Sequence, residues 1–175
     1  MSLDNSISNL IVKFSSLAFD PCNPGSYKVF DAYDRLVGNS DQSSVKCDQQ
    51  HVALPDWYRF TGEAGDQMPT KCPKTLRCGT HAPGWLSGAH PSVADGVVNR
   101  EVCYHWSNNC CRWKNNIKVK NCGNFYVYEL QKPPACSLRY CGEYYKSPRC
   151  SSRYTNKTVP SQIDKQTNCV EEISQ

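Results

Sequence analysis

Twelve of the 175 residues are cysteine, and nothing else in the sequence restricts the fold as much. The count is even and the surrounding chain is polar, which suggests paired thiols. Disulfides persist in secreted and cell-surface compartments and are rare in the cytosol. Apolar residues make up 39% of the chain, below the usual share for a globular domain. A thin core of that kind leaves room for covalent staples, each contributing roughly 2–5 kcal/mol in a small secreted domain. The competing reading is a cytosolic chain whose cysteines are free or bind metal.

The cysteines divide the chain. Residues 1–20 contain none. Cys22, Cys47, Cys72, Cys78, Cys103, Cys110, Cys111, Cys122, Cys136 and Cys141 fall within 21–142, which reads as one domain. Residues 143–175 hold Cys150 and Cys169, a pair able to close a short loop, in a stretch rich in Ser, Thr, Asn, Gln and Lys. That composition reads as a tail, a linker or the edge of another module. Cys110 and Cys111 are adjacent. Bridged Cα atoms usually sit roughly 4.4–6.8 Å apart, so neighbours are expected to take different partners. Spacing does not choose those partners, since ten cysteines allow on the order of a thousand pairings.

Local patterns favour strands and turns. Trp57-Tyr58-Arg59-Phe60, Cys103-Tyr104-His105-Trp106 and Phe125-Tyr126-Val127-Tyr128 are short and β-prone. Ile117-Lys118-Val119-Lys120 alternates apolar and polar. Asn121-Cys122-Gly123-Asn124 between the last two runs suits a hairpin connection with Gly123 at positive φ. The best helix signal is one turn over Pro91–Gly96. The expected fold is a mostly β, small, disulfide-rich extracellular domain with short strands, hairpins and long loops.

The net charge of +4 is too weak and too scattered to point to nucleic acid. No apolar run approaches the ~20 residues a membrane span needs. Met1–Leu10 contains Asp4 and no basic residue, and Lys13 interrupts the mildly apolar Leu10–Phe19. This is no convincing signal peptide. The expectation is a truncated or misassigned start, or a piece of a longer chain.

Ordered motifs resemble a known family. Asp56-Trp57-Tyr58-Arg59-Phe60-Thr61-Gly62, Gln67-Met68-Pro69, Cys72 and Leu76-Arg77-Cys78 form the first set. Ala82-Pro83-Gly84-Trp85-Leu86-Ser87-Gly88-Ala89-His90-Pro91 and Asp95-Gly96-Val97-Val98 follow. Then come Cys103-Tyr104-His105-Trp106-Ser107, Cys110-Cys111-Arg112-Trp113, Val119-Lys120 and Cys122. Tyr126-Val127-Tyr128-Glu129-Leu130, Pro133-Pro134-Ala135-Cys136 and Tyr140-Cys141 close the series. Together they resemble the cysteine-rich domain of the uromodulin-like family, over nearly all of 21–142. The resemblance implies a compact, mostly β domain of extracellular glycoproteins. It also implies the bridges Cys22–Cys122, Cys47–Cys136, Cys72–Cys110, Cys78–Cys141 and Cys103–Cys111, leaving Cys150–Cys169 as the remaining pair. Some relatives display an N-glycan, grasped by bacterial mannose-binding fimbriae, in a Trp-Leu-x-Gly-x-His-Pro segment. Here Ser87 and Ala89 replace the acceptor residues, so that glycan cannot form. Asn156, in Asn156-Lys157-Thr158, is the chain's only N-x-S/T acceptor.

Chemistry is sparse. His105 lies near Cys103, Cys110 and Cys111, but the spacing only loosely approximates a zinc site. A Cys–His nucleophile needs a free thiolate, and the implied bridges leave none in the domain. No catalytic motif is present, so no enzyme activity and no cofactor are expected. Trp57, Trp106 and Trp113 read as packing around the bridges. Trp85, in what reads as a Gly- and Pro-rich loop, and His90 are candidates for a binding surface. Arg100, Arg112, Lys114, Lys118 and Lys120 read as the solvated face of a strand, with acidic glycans as the competing ligand. The expected role is a non-enzymatic interaction or spacer module of a secreted or cell-surface glycoprotein, binding extracellular proteins or glycans. A stand-alone secreted effector, such as an inhibitor or toxin-like protein, is the alternative.

Overall fold

A computed structural model of the chain describes residues 19–145. Seven strands form one sheet: β1 Lys28–Phe30, β2 Asp56–Phe60, β3 Ala82–Ser87, β4 Val97–Trp106, β5 Asn109–Asn121, β6 Tyr126–Leu130 and β7 Leu138–Tyr140. Their spatial order is β1-β2-β6-β5-β4-β3-β7. The two outer pairs, β1/β2 and β3/β7, are parallel, and the neighbours between them are antiparallel. The described helices are short: α1 at Asp48–His51, and single 3-10 turns at Tyr33–Arg35, Gly62–Ala64 and Val93–Asp95. The fold is mostly β and disulfide-rich.

Side-chain alternation sorts the sheet into two faces. In β5, Ile117 and Val119 are buried while Lys114, Asn116 and Lys118 are exposed. The buried side holds the core: Phe30, Tyr58, Phe60, Leu86, Val102, Tyr104, Ile117, Val119, Tyr128, Leu130, Leu138 and Tyr140, with Ala64 and Met68 from the loops. Aromatics supply much of its volume. Phe30 stacks on Tyr58 at 4.3 Å and Phe60 meets Tyr128 edge-on at 5.6 Å, arrangements that suit the ring quadrupoles.

Buried charge accompanies this core. Arg35 donates from both terminal nitrogens to Asp48, at 2.9 and 2.8 Å, and also to the Tyr140 carbonyl at 3.0 Å. Asp48 Oδ2 accepts from the Tyr140 amide at 2.9 Å. Arg139 donates to the carbonyl of Cys78 and to the carboxylate of Asp34, both at 2.9 Å. Each charge thus has an opposite partner and further hydrogen bonds, the condition under which ions survive burial. The network fastens the 31–51 loop to β7.

The opposite face is partly covered at one end. The segment before β1 crosses it, tied by Cys22–Cys122 and by Asp20 to Lys120 Nζ at 2.8 Å. Arg59 lies 3.9 Å above the Phe125 ring and donates to Tyr27 Oη at 3.2 Å. Val127 and Trp57 are buried here. Trp57 therefore packs on the far side of the sheet, while Trp106 and Trp113 lie half-buried against the main core.

The runs at 57–60, 103–106, 117–120 and 125–128 all fall in strands apart from Phe125. The 121–124 connection is tight: Gly123 has φ 87°, and the Cys122 amide donates to the Phe125 carbonyl at 2.8 Å. The Pro91–Gly96 signal gives the 3-10 turn at Val93–Asp95, where Asp95 Oδ2 accepts from the Ser92 amide at 2.7 Å. One reading is corrected: Trp85 is not in a loop but in β3. Folding also runs past residue 142, since Glu143 exchanges backbone hydrogen bonds with Gln67 and the Tyr145 amide donates to Asp66 at 2.8 Å.

Candidate functional site

The adjacent cysteines sit where the longest hairpin is irregular. Tyr104 pairs with Trp113 and Trp106 with Asn109, so His105 alone faces Cys110, Cys111 and Arg112. A bulge of this kind re-aims side chains. It sends Cys111 back across the hairpin to Cys103 and Cys110 outward to Cys72. Trp85 donates from Nε1 to the Cys110 carbonyl at 2.8 Å and so braces the bulge.

Five bridges join the described cysteines. They are Cys22–Cys122, Cys47–Cys136, Cys72–Cys110, Cys78–Cys141 and Cys103–Cys111, with Cα separations of 5.6, 5.2, 5.8, 5.8 and 4.6 Å. Cys72, His105 and Cys110 bring their ligand atoms within 4.8 Å of one another, as do Glu101, Cys103 and Cys111. In each set the two sulfurs are bonded to each other, and metal binding needs thiolates. His105 Nδ1 meets the Pro73 carbonyl at 2.6 Å. Neither set is arranged for metal or nucleophilic chemistry. Cys150, Cys169 and Asn156 lie outside the described residues.

The structure places Trp85 and His90 on opposite faces of the sheet. Trp85 pairs with Cys103, which pairs with Lys114 on the open side. His90 packs on the other side, 4.3 Å from the Tyr126 ring, with Nε2 2.8 Å from Tyr128 Oη. That hydroxyl accepts from the Met68 amide at 3.0 Å. Burial holds the Tyr128 phenol well above its usual pKa, so its proton remains and points to His90 Nε2. Burial, helped by the Arg100 charge, lowers the His90 imidazole to about 4. His90 is therefore a neutral acceptor that pins the 88–92 loop to the core.

The open face carries the remaining polar chemistry. Strand register arranges it in rows. One runs Ser87, Glu101, Asn116; the next runs Asn99, Lys118, Glu129, Trp57. The bases of β5 are mostly matched: Lys114 with Glu101 at 2.9 Å, Lys118 with Glu129 at 2.7 Å, and Lys120 with Asp20 at 2.8 Å. Arg100 points elsewhere, donating to the Ala89 carbonyl at 3.0 Å. This face is a ladder of compensated charges and not a basic patch. Between the two rows lies a shallow depression of about 300 Å³, lined by Pro55, Asn99, Asn116, Lys118, Glu129 and Gln131. Its three amides escaped the sequence reading. Each is one polar residue among many, and only the pairing of β4, β5 and β6 brings them together.

The family model described as the uromodulin-like domain matches residues 58–142. The pancreatic secretory granule membrane major glycoprotein GP2 of Canis lupus familiaris is 47% identical over 125 residues, 71% of this chain and 23% of that protein. Uromodulin of Mus musculus is 47% identical over 123 residues, 70% of this chain and 18% of that protein. The human GP2 is 44% identical over 126 residues, 71% of this chain and 22% of that protein. The chain spans less than a quarter of the length of these relatives. The bridged sheet and these matches together establish that the chain carries the cysteine-rich domain of the uromodulin-like family.

Proposed function

We propose that this chain acts as a non-enzymatic interaction or spacer module of a secreted or cell-surface glycoprotein, with residues 21–142 as its principal unit and the following polar segment as linker. The observation that carries this reading is the cross-linking. All ten described core cysteines are bridged, over sequence separations of 8 to 100 residues. Such a domain is at home in an oxidising compartment and leaves no core thiolate for nucleophilic chemistry. The name of one relative, a secretory granule membrane glycoprotein, is consistent with that compartment. The function lies in the surface that the bridges hold still.

The test is to secrete the full chain from mammalian cells, treat it natively with iodoacetamide, and measure its intact mass before and after reduction. The expected result is no labelled cysteine in the core and a gain of two hydrogens per bridge on reduction. A core cysteine that alkylates in the native protein, or stoichiometric bound zinc, overturns the reading.

A further inference from the structure

We infer that the depression on the open sheet face is a binding site for an uncharged oligosaccharide, presented across β4, β5 and β6. This assignment deepens the interaction-module reading and rests on it.

Three observations converge. First, Asn99 in β4, Asn116 in β5 and Gln131 just past the end of β6 line the depression. Among the described residues none of their side-chain amides has a hydrogen-bond partner. Each amide offers one acceptor and two donors. Three unused amides on adjacent segments match the paired donor–acceptor demand of vicinal sugar hydroxyls. Strand spacing of about 4.8 Å spreads them across the face and not around a single point, which favours an oligosaccharide over a monosaccharide.

Second, the local charge is cancelled. Lys118 and Glu129, the only ionised groups lining the depression, bond to each other at 2.7 Å. The neighbouring Lys114 is held by Glu101 at 2.9 Å. An anionic glycan would have to break these pairs or lie beside the carboxylates. A neutral polyol can accept from Lys118 and donate to Glu129 with the pair intact.

Third, the floor is rigid. It is the middle of the sheet, where Glu101 pairs with Asn116 and Lys118 pairs with both Asn99 and Glu129. Ile117 and Val119 anchor β5 from beneath, each 2% exposed or less. The sheet fixes the backbone positions of Asn99 and Asn116, so on binding it is their side chains alone that have to be ordered, a smaller cost than ordering a loop. Pro55 supplies an apolar wall at the β2 end.

The experiment titrates the secreted, fully bridged chain, labelled with ¹⁵N, with maltoheptaose, cellohexaose and a high-mannose N-glycan as neutral probes. A heparin hexasaccharide is the anionic probe. Side-chain amide resonances are followed at low and high salt. At least one neutral probe is expected to shift the amides of Asn99, Asn116 and Gln131, with an affinity that salt barely changes. Asn99→Ala with Asn116→Ala is expected to weaken that binding by about tenfold or more. Lys120→Ala, outside the depression, is expected to leave it intact. Because the two Asn residues are exposed, an unchanged melting temperature verifies that the double variant folds. If it does not, Gln131→Ala is read in its place. Silence of all three amides with every neutral probe overturns the site. So does binding of heparin alone, or binding that the double variant leaves unchanged. If the bridges are intact and the amides are silent, the glycan assignment falls while the interaction-module reading stands. Alkylatable core thiols would instead strike the broader reading.

Discussion

His90 shows how far a residue's chemistry can depart from its place in the sequence. Within a run of small residues and Pro it looks exposed and available. In the fold it accepts a hydrogen bond from the Tyr128 hydroxyl and lies against Tyr126. Burial first, then the positive charge of Arg100, lowers its pKa from 6.5 to about 4. The sign follows from linkage: the unfolded chain binds a proton at this site between those values and the folded chain does not. Stability from this group is complete above pH 6.5 and declines as the pH falls towards 4, by about 3 kcal/mol in all. Denaturant unfolding at closely spaced pH values should show that slope. His90→Gln keeps an acceptor for the Tyr128 hydroxyl and removes the titration, so its stability should be flatter over the same window. An unchanged slope in the variant would show that the acid sensitivity lies elsewhere. Asp34 acts in a lower range. Burial would raise its carboxyl, but hydrogen bonds from Lys46 and Arg139 outweigh that and hold it below its ordinary value. Its contribution is present above the unfolded carboxylate pKa and is lost only as the pH drops through the folded one.

Among the elements, β2, β4, β5 and β6 were legible in part, from aromatic β-prone runs or from alternation, while β1, β3 and β7 were not. Ile117 to Lys120 revealed its two faces because its neighbours on both sides bury one of them. β3 was hidden by Pro83 and Gly84, residues that usually interrupt strands. Gly84 is there because a Cβ would stand 2.7 Å from the Tyr104 ring and 2.9 Å from the Arg139 carbonyl. The β4–β5 turn was hidden too. Ser107 and Asn108 both have positive φ, 49° and 63°, in a two-residue turn that usually announces itself with glycine. Strands of three residues, β1 and β7, are too short to carry a period. The bridges act on these elements unequally. Cys103–Cys111 spans only 8 residues and Cys22–Cys122 spans 100. Loop-closure entropy assigns about 2.5 kcal/mol to the first and about 4.7 kcal/mol to the second. Thermal unfolding of the paired alanine variants should therefore show the larger loss for Cys22→Ala with Cys122→Ala. The opposite order would mean that the shorter bridge braces the bulged hairpin by more than chain entropy.

At the scale of the molecule, one sheet has to bury its apolar face without a second sheet or a long helix among the described residues. Its cover is loop: residues 31–55 and 61–81, with the stretch leading into β7. Loops of that length lose much conformational entropy on ordering, and their apolar contribution is small, chiefly Ala64, Met68 and partly buried Val52 and Leu54. The remaining hold comes from Cys47–Cys136 and Cys78–Cys141, which fix two of these loops to the chain around β7. The buried Arg35–Asp48 pair adds to that hold, since Asp48 also accepts from the Tyr140 amide of β7. Composition pointed to this need, since an even number of cysteines in a chain poor in aliphatics suggests cross-linking. It did not show where the open face would lie, because Asn99, Asn116 and Gln131 become neighbours only through strand register. If the bridges are what keep the loops on the sheet, complete reduction and capping of the thiols should abolish the cooperative thermal transition seen in the oxidised protein. Near-ultraviolet dichroism from the buried tyrosines should be lost with it. A capped protein that melts as sharply and at the same temperature would mean that the aromatic core and the buried ion pairs suffice, and that the cross-links serve resistance to proteolysis alone.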